Sequence, residues 1–571
     1  MNLPAPAPTL PVTPVPADAL ALQRLYHWER TAAATTVLSQ PLGGGAVREY
    51  TWAQLLDETR RMAAHLVGLN FAPGTRIAIL SKNTAHWLMC DFAVWMAGHV
   101  SVPLYPTLAA GTIRQILEHS EAKLLFIGKL DGWEAMAPGI PEGLPCIATP
   151  LAPATKHPQW AQIVDATAPL PGHPVRAGDE LATIMYTSGT TGNPKGVMHS
   201  FASFAWSMGS AQRRVKMNLQ TRMLSYLPLA HVAERTLVEH GLLASGMQVY
   251  FAESLDTFAK DLQRARPTVF FSVPRLWVKF QQGVHGKMPA AKLARLLKIP
   301  ILRGIVARKV LTGLGLDACE FAAGGAAPMP PALLAWYERL GLPIIEVYGM
   351  TENCGVSHAT LPGVQRPGTV GRPYDGVHSR IDPATGEIQM TSPGLMLGYY
   401  KEPALTAETM TADGWLRTGD KGALDAEGNL RITGRVKDLF KTSKGKYVSP
   451  APIEDRLVMN PALEACVVTG ANLGQPLGIV MLNAPAAERA GSGAGPGRTE
   501  LESSLSAHLD AVNAGLDPHE QLDCLVVVTA PWSVENGFIT PTFKVKRNRI
   551  EEVYGPMYER WVGSRQRVVW A

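Results

Sequence analysis

Hydrophobic and polar positions alternate along most of the chain in a way that predicts helices and short buried strands in turn. Residues 51–69 place apolar side chains at helical spacing, which predicts an amphipathic helix. Short apolar runs at 76–80, 124–127, 181–186, 268–273 and 344–347 predict β-strands. Strands that alternate with helices are typical of α/β layers built around parallel sheets. We therefore expect an α/β fold.

The pattern changes towards the C-terminus and predicts three regions. Residues 1–19 are rich in proline and predict a disordered tail, residues 20–433 predict a large domain of layered α/β sheets, and residues 434–571 predict a small α+β domain. Strands of the small domain are expected at 466–469 and 525–529. Glycine and aspartate in 411–435 predict turns, and 484–498 predicts a low-complexity loop.

Composition narrows the class of protein. A chain of 571 residues is too long for one core and predicts two or more domains. The formal charge of +5 is mild and gives no reason to expect nucleic-acid binding. Six cysteines are scattered without a C-x-x-C pair, which indicates a reducing, cytoplasmic setting. The N-terminus has no signal-peptide pattern, and no apolar run is long enough to span a bilayer.

The most unusual segment is YTSGTTGNPKG, residues 186–196. It holds three glycines, one proline, five hydroxyls and the single Lys195, which predicts a loop between two elements. Backbone N–H groups and a lysine in such a loop can hold phosphate oxygens. It is not a Walker loop, because no Gly-Lys pair in the chain is followed by Ser or Thr. A surface loop without a ligand is the alternative.

Three further motifs offer groups for a ligand. In EVYGMTE, Tyr348 could stack on a ring, Thr351 could donate a hydrogen bond and Glu352 could hold a hard cation; the alternative is a helix start capped by Thr351. FAAGGAAP has no side chain larger than methyl between Phe321 and Pro328, which suits a flat ligand or tight packing. In WLRTGD, Asp420 could accept ribose hydroxyls or simply belong to a turn.

Other candidates are weaker. Lysines gather at 434–450 and again at 536–547, where most are expected to be solvated. His231 stands alone in YLPLAHVAER, and a lone histidine is more often structural than catalytic. The chain has no G-x-S-x-G, no H-E-x-x-H, and no G-x-G-x-x-G after a strand.

Taken in order, YTSGTTGNPKG, YLPLAH, GGAAP, YGMTE, TGD, GRVKD and TPTFKVKR resemble the motifs of the AMP-forming adenylating enzymes, the superfamily of acyl-CoA synthetases, adenylation domains and luciferases. The resemblance covers residues 20–549, and the forms SYLPLAHVAERT and KTSKGKYVSP look like long-chain fatty acyl-CoA synthetases. It implies ATP, Mg²⁺, a fatty acid and coenzyme A as ligands, a mobile C-terminal domain, and an acyl-AMP intermediate that a thiol then attacks.

The resemblance also implies roles for individual residues. Phosphates would be held by Thr187, Ser188, Gly189, Thr190, Thr191, Gly192 and Lys195. The adenine and acyl pockets would be lined by Gly324, Gly325, Ala326, Ala327 and Tyr348, with Gly349 and Gly445 as further cofactor-binding positions. Asp420 and Arg435 would bind ribose, Lys437 would be the hinge, and Glu352 would bind Mg²⁺. The catalytic set would be Lys544, Thr351, Glu352 and His231, with Lys544 bridging the carboxylate and the α-phosphate.

Two positions depart from the superfamily pattern. Phe543, rather than glycine, precedes Lys544, as in the long-chain forms. The tryptophan that gates the acyl tunnel in some relatives is absent, and Glu234 and Arg235 follow the histidine motif instead. Two other functions stay open: a ligase that passes the acyl group to a carrier protein in trans, and a nucleotide-binding relative without catalysis.

Residues 262–316 contain eleven Lys and Arg and no Asp or Glu. Bases interleaved with Leu, Ile and Val predict a basic amphipathic surface, which could make peripheral contact with an anionic membrane. The alternatives are a solvated basic face and a face that meets the phosphates of coenzyme A.

Overall fold

The structure is a computed structural model that describes residues 15–188, 194–361, 363–364, 366–491, 495–533, 536–540 and 545–571. Within these ranges the strands are β1 Thr36–Gly43, β2 Ala46–Thr51, β3 Arg76–Leu80, β4 Val100–Leu104, β5 Leu124–Ile127, β6 Cys146–Ala148, β7 Leu181–Ser188, β8 Pro194–Ser200, β9 Arg222–Ser225, β10 Gln248–Phe251, β11 Val269–Ser272, β12 Phe321–Gly325, β13 Ile344–Tyr348, β14 His358–Ala359, β15 Arg372–Pro373, β16 His378–Ile381, β17 Glu387–Thr391, β18 Gly398–Tyr399, β19 Leu416–Leu424, β20 Leu430–Arg435, β21 Phe440–Lys441, β22 Tyr447–Val448, β23 Leu463–Thr469, β24 Leu477–Leu482, β25 Leu525–Val528 and β26 Val568–Trp570.

The α-helices of the same ranges are α1 Ala21–Thr31, α2 Trp52–Gly68, α3 Ala85–Met96, α4 Ala110–Ser120, α5 Trp133–Met136, α6 Trp160–Ala166, α7 Phe201–Gln212, α8 Val232–Glu234, α9 Gly241–Ser245, α10 Phe258–Ala265, α11 Pro274–Lys287, α12 Ala290–Lys298, α13 Pro300–Leu314, α14 Pro331–Arg339, α15 Pro403–Thr409, α16 Pro450–Leu457, α17 Ala484–Ala490, α18 Pro496–Asn513, α19 Arg547–Tyr554 and α20 Tyr558–Gly563. Between α8 and α9, Arg235–His240 forms a π-helix.

The largest sheet has the strand order β18-β8-β7-β4-β3-β5-β6 in the described residues. Strands β3 to β7 pair in parallel, whereas β8 and β18 add an antiparallel edge. β3 is apolar because it is central, and α3 is buried on every side against the sheet. Thr51 begins α2 with a capping box to Gln54, so the predicted amphipathic helix is confirmed.

A second sheet, β11-β12-β13-β14-β15, runs in parallel through its first three strands. Parallel strands end at the same edge, so the residues after β12 and after β13 are neighbours. The sheets β2-β1-β10-β9 and β16-β17-β19-β20 complete the part before residue 436. The α/β class predicted from the pattern is confirmed.

Two predictions about loops are wrong. Residues 411–435 are mostly the antiparallel pair β19 and β20, because a ladder can accommodate Gly419 and Gly422 where the strand bulges. Residues 484–490 form α17, which the Asn483 side chain caps, since alanine favours helix. Ala17–Ala19 form a 3-10 turn inside the predicted tail, of which residues 1–14 lie outside the described ranges.

After β20 the chain forms the β21-β22 pair and the sheet β23-β24-β25-β26, which has its own apolar clusters on both faces. The predicted boundary at residue 434 lies inside β20, since Gly434 and Arg435 pair with β19. All six cysteines are free thiols. No helix in the described ranges has the length and apolarity needed to cross a membrane.

Candidate active site

A cleft of about 2580 Å³ opens where the two large sheets meet β19, β20 and the C-terminal unit. The predicted site residues that line it are Thr187, Lys195, His231, Gly324, Ala326, Ala327, Tyr348, Gly349, Thr351, Glu352, Asp420, Arg435 and Lys437. Gly325 and Gly445 do not line it. Residues far apart in the sequence therefore share one cavity.

The predicted phosphate segment is a hairpin. Thr187 and Lys195 are paired across β7 and β8, so the predicted loop is shorter than 186–196. Lys195 Nζ lies 5.8 Å from the centroid of the Tyr399 ring, a cation–π distance. The predicted residues Gly189, Thr190, Thr191 and Gly192 lie outside the described ranges, as does the side chain of Ser188.

Glu352 faces this hairpin. The Tyr399 hydroxyl donates to Glu352 Oε1 at 2.7 Å, and β18, which carries Tyr399, pairs with β8. The Thr351–Asn353 segment is a single 3-10 turn preceded by Met350, so Thr351 does not act as the helix cap considered above. Both Thr351 and Glu352 border the cleft.

His199 supports the same turn from beneath. Its Nε2 donates to the Thr351 carbonyl oxygen at 2.7 Å, so Nε2 carries the proton, while Nδ1 faces Ser203 Oγ at 3.3 Å. Burial lowers the pKa of His199 to about 4, so the ring is neutral at neutral pH. The sequence reasoning did not single out His199 or Tyr399, because neither lies within the motifs considered.

A second polar group also lines the cleft. The buried Tyr348 hydroxyl donates to Asp420 Oδ2 at 2.7 Å, and Arg435 Nε lies 3.2 Å from Asp420 Oδ1. Burial and the neighbouring Asp420 raise the pKa of Tyr348 well above its usual value, so the phenol stays a donor. Asp420 and Arg435 are cross-strand partners in β19 and β20, which puts an acceptor and a cation side by side.

The small residues of the FAAGGAAP motif serve two separate purposes. A side chain on Gly325 would meet Val347 at 2.7 Å, so Gly325 serves packing. Gly324 lines the cleft, and a side chain there would meet Met329 Sδ at 2.9 Å. Ala326 adopts φ 67°, which turns the chain at the cleft edge. Ligand access and tight packing therefore both apply to this motif.

The histidine motif borders an apolar part of the cleft. His231 begins α8, and its Nδ1 accepts from Ala233 N at 3.2 Å. The apolar wall is formed by Met208, Ala211, Val215, Met217, Val232, Leu237, Val269, Phe271, Phe321, Ala323 and Val356. Glu234 and Arg235 do not line the cleft: Arg235 is fully buried and pairs with Asp91 and Glu239, each at 2.9 Å. Neither residue can therefore act as a gate to this apolar part of the cleft.

An ion-pair cluster anchors the C-terminal lysine segment. Arg547 donates to Glu454 Oε1 and to the Val468 carbonyl oxygen, both at 2.5 Å, and lies 3.8 Å from Asp438. Asp438 directly follows the predicted hinge Lys437. Lys544 lies outside the described ranges. The cluster joins three separate segments, which no local pattern indicates.

Two cleft carboxyls were also missed. Burial raises the pKa of Glu346 to about 7, and burial together with Glu454 raises the pKa of Asp455 to about 7. In the described part of the chain no group of three or more His, Cys, Asp or Glu side chains could hold a metal.

Comparisons with known proteins agree with this geometry. Residues 26–400 match the family model described as AMP-binding enzyme. The chain is 29% identical over 562 residues to the long-chain-fatty-acid–CoA ligase FadD15 of Mycobacterium bovis, covering 91% of this chain and 93% of the relative. It is 28% identical over 576 residues to fatty acyl-CoA synthetase A of Dictyostelium discoideum, covering 90% and 86%.

Solved structures share the fold. The A domain of a carboxylic acid reductase from Segniliparus rugosus, in complex with AMP and a carboxylic acid, superimposes with a TM-score of 0.79 at 22% identity, covering 95% of this chain and 94% of that one. The anthranilate CoA ligase AuaEII, in complex with anthranoyl-AMP, gives a TM-score of 0.74 at 20% identity, covering 93% and 96%.

Proposed function

The chain belongs to the AMP-binding enzyme family, and we propose that it is a ligase that joins a fatty acid to coenzyme A with ATP as the energy source. The observation that carries the proposal is the shared cleft, which is lined at once by Lys195, Glu352 and Asp420 and by an apolar wall. Relatives named as fatty-acid–CoA ligases over nine-tenths of the chain support the same substrate class.

The reaction has two steps. A carboxylate oxygen attacks the ATP α-phosphorus, and the bond to the leaving pyrophosphate breaks, which gives acyl-AMP. The sulfur of coenzyme A then attacks the acyl carbon, and the bond to AMP breaks. Positioning and charge neutralisation supply most of the catalysis in such phosphoryl chemistry, so no protein nucleophile is needed.

The chain's own residues have assigned tasks in this proposal. Lys195 and the hairpin around it hold phosphate oxygens, and Thr351 contacts the α-phosphate. Tyr348 packs on adenine, while Asp420 and Arg435 bind ribose. The apolar wall orders the acyl chain and excludes water from the acyl-AMP carbonyl.

We propose that Glu352 holds Mg²⁺ together with phosphate oxygens. A single carboxylate with substrate phosphates is a usual magnesium arrangement, and Glu352 lines the same cleft as Lys195. The cation would neutralise phosphate charge when bound. The Tyr399 hydroxyl orients the carboxylate for this task.

We propose further that the two domains divide near residue 434, with the hinge at Lys437, and that Lys544 acts in the first step. Lys544 would neutralise charge where the carboxylate meets the α-phosphate and would leave the site when the small domain turns. Arg547, three residues further on, donates to Glu454, and this contact fixes the C-terminal end of the lysine segment.

Two assays on one sample test the function. Pyrophosphate release should require both ATP and a fatty acid, and thioester formation should require coenzyme A. A panel of fatty acids from short to very long gives the chain-length preference. Acyl-AMP that accumulates and is unaffected by coenzyme A would point to a carrier-protein acceptor instead, and an absence of pyrophosphate release would contradict the ligase.

We also propose a cytoplasmic location with peripheral contact to an anionic membrane through the basic region 262–316. Six free thiols are compatible with a reducing setting. A fatty acid partitions into lipid, so a ligase resting on the bilayer would meet its substrate there.

A further inference from the structure

Three isoleucines project from the surface where α12 meets α13. Ile299, Ile301 and Ile305 are 44%, 83% and 64% exposed. Ile301 and Ile305 are four positions apart in one helix, and Lys309 follows at the same spacing, so these side chains share one face of α13. Isolated apolar residues on a surface are ordinary, but a cluster this exposed indicates an interaction site.

Exposed basic side chains accompany these isoleucines along α12 and α13. Lys292, Arg295, Lys298, Arg303 and Lys309 are all exposed. Elsewhere in the basic region, Arg264, Arg266, Arg275 and Lys279 pair with carboxylates. In contrast, the five bases around the isoleucines have no carboxylate within 4.0 Å in the described part of the chain. The cluster therefore combines exposed apolar side chains with unneutralised positive charge.

The surface is separate from the cleft. No residue of α12 or α13 lines the cavity that holds the candidate site residues. Contact with coenzyme A phosphates would use the bases but would leave the isoleucines unexplained, since phosphate offers no apolar partner. An anionic bilayer accounts for both the bases and the isoleucines. Isoleucine enters the acyl boundary, while lysine and arginine lie among the headgroups.

We propose that the α12–α13 junction is a membrane-docking surface for anionic phospholipid bilayers, with Ile299, Ile301 and Ile305 inserted below the headgroups. The inference rests on the proposed fatty-acid ligase function, for which a bilayer is the natural substrate source. It adds to the proposed peripheral contact the particular surface that binds and the insertion of its isoleucines below the headgroups.

Co-sedimentation of the full chain with vesicles tests the surface without any substrate. Wild type should bind vesicles of phosphatidylcholine mixed with phosphatidylglycerol, and bind vesicles of phosphatidylcholine alone at least tenfold more weakly. Binding should weaken in about 0.5 M salt, where the screening length is about 4 Å. If the wild-type protein does not co-sediment with anionic vesicles, the proposal is wrong.

Matched variants separate insertion from simple attraction. Ile301→Ser with Ile305→Ser should lower vesicle affinity at least tenfold, as should Lys298→Glu with Lys309→Glu. The controls are Leu255→Ser, a leucine that is 90% exposed elsewhere, and Lys156→Glu, and both should bind like wild type. Isoleucine variants that bind like wild type would overturn insertion.

Two further measurements keep the test independent of folding and of the ligase activity. A label on Ile301→Cys should be quenched by brominated lipid, with wild type labelled in the same way as background, and no quenching would contradict insertion. Ligase activity on a short, water-soluble acid without vesicles should be unchanged in the isoleucine variants. If wild type fails to bind anionic vesicles but keeps its ligase activity, the membrane-docking surface is rejected and the proposed ligase function is not.

Discussion

At the scale of single residues, Glu352 is oriented before any ligand arrives, because its Oε1 accepts from the Tyr399 hydroxyl. A glutamine at this position can accept the same hydrogen bond but carries no charge. We expect Glu352→Gln to slow acyl-AMP formation roughly 10²- to 10³-fold, with partial recovery at raised Mg²⁺. Exchange of pyrophosphate into ATP at several Mg²⁺ concentrations measures this.

Tyr399→Phe is the matched control for this prediction. It keeps the ring beside Lys195 and removes only the hydroxyl, so its effect should be much smaller. Wild-type rates for Glu352→Gln at limiting Mg²⁺ would contradict the assignment of the metal to this carboxylate.

A second residue, Glu234, makes stability depend on pH. Burial raises the pKa of Glu234 to about 8, although Ser225 Oγ and Tyr226 N donate to its Oε1 at 2.8 and 3.0 Å. The folded state therefore holds a proton that the unfolded state releases at lower pH. This stabilisation is complete below the usual carboxyl range and is lost as pH rises towards about 8.

Glu234→Gln should remove this dependence, because the side chain stays neutral at every pH. Thermal unfolding midpoints at pH 6 and pH 8 should lie closer together in the variant than in wild type. Glu338→Gln, at an exposed position, serves as the control and should leave the difference unchanged. An undiminished difference in Glu234→Gln would show that other groups cause it.

At the scale of elements, the start of α19 is tied to α16 and β23 through Arg547, which donates to Glu454 and to the Val468 carbonyl oxygen. Arg547→Gln should cost about 1–3 kcal/mol through buried groups that lose their partner. It should lower the thermal midpoint and also slow acyl-AMP formation, because the preceding lysine segment loses its anchor.

Arg549→Gln offers the comparison from the same helix. Its partner Glu552 is exposed, and surface pairs contribute little. Equal effects of the two substitutions on acyl-AMP formation would contradict an anchoring role for Arg547.

Elements also differ in how far the pattern predicted them. Strands β3 and β5 were predicted to the residue, because a continuous apolar run is what a strand buried on both faces requires. Strands β19 and β20 were missed, since glycine and aspartate usually indicate turns. Pairing with β17 within the same sheet overrides that local preference.

At the scale of the whole molecule, we expect a substitution of Lys544 to affect the two half-reactions differently. Lys544→Ala should slow acyl-AMP formation by a factor of roughly hundreds, since it removes charge that stabilises the transition state. The variant should still convert supplied acyl-AMP and coenzyme A to thioester at close to the normal rate. Single-turnover assays of each step measure both.

Lys437→Pro is the complementary variant, because proline fixes φ at the proposed hinge. It should spare acyl-AMP formation and slow thioester formation. Equal loss of both steps in Lys544→Ala would contradict two positions of the small domain.

An ion pair joins the two parts of the chain. Glu464 on β23 pairs with Arg275 on α11, with Lys279 at 3.9 Å. The bond favours the arrangement seen here, so Glu464→Arg should change the two half-reaction rates in opposite directions. The double variant Arg275→Glu with Glu464→Arg should restore their ratio. Rates that change together, or no rescue, would contradict a positional role.

The sequence by itself determined the α/β class, the apolar runs that form β3, β5, β7, β11 and β13, and most of the motif residues that line the cleft. These features depend on the local succession of apolar, small and charged residues, which the chain states directly. Only the tertiary structure decided which of these side chains form hydrogen bonds with each other. Tyr399 and Glu352 are 47 positions apart, Tyr348 and Asp420 are 72 apart, and His199 and Thr351 are 152 apart.

Such pairs follow from how sheets and helices pack, and periodicity along one element carries no information about the element it will meet. The same limit applies to Arg235, which follows the histidine motif in the sequence. The fold buries it instead between Asp91 and Glu239. The sequence predicted a basic amphipathic surface in residues 262–316, but only packing decided that Ile301 and Ile305 of α13 are exposed.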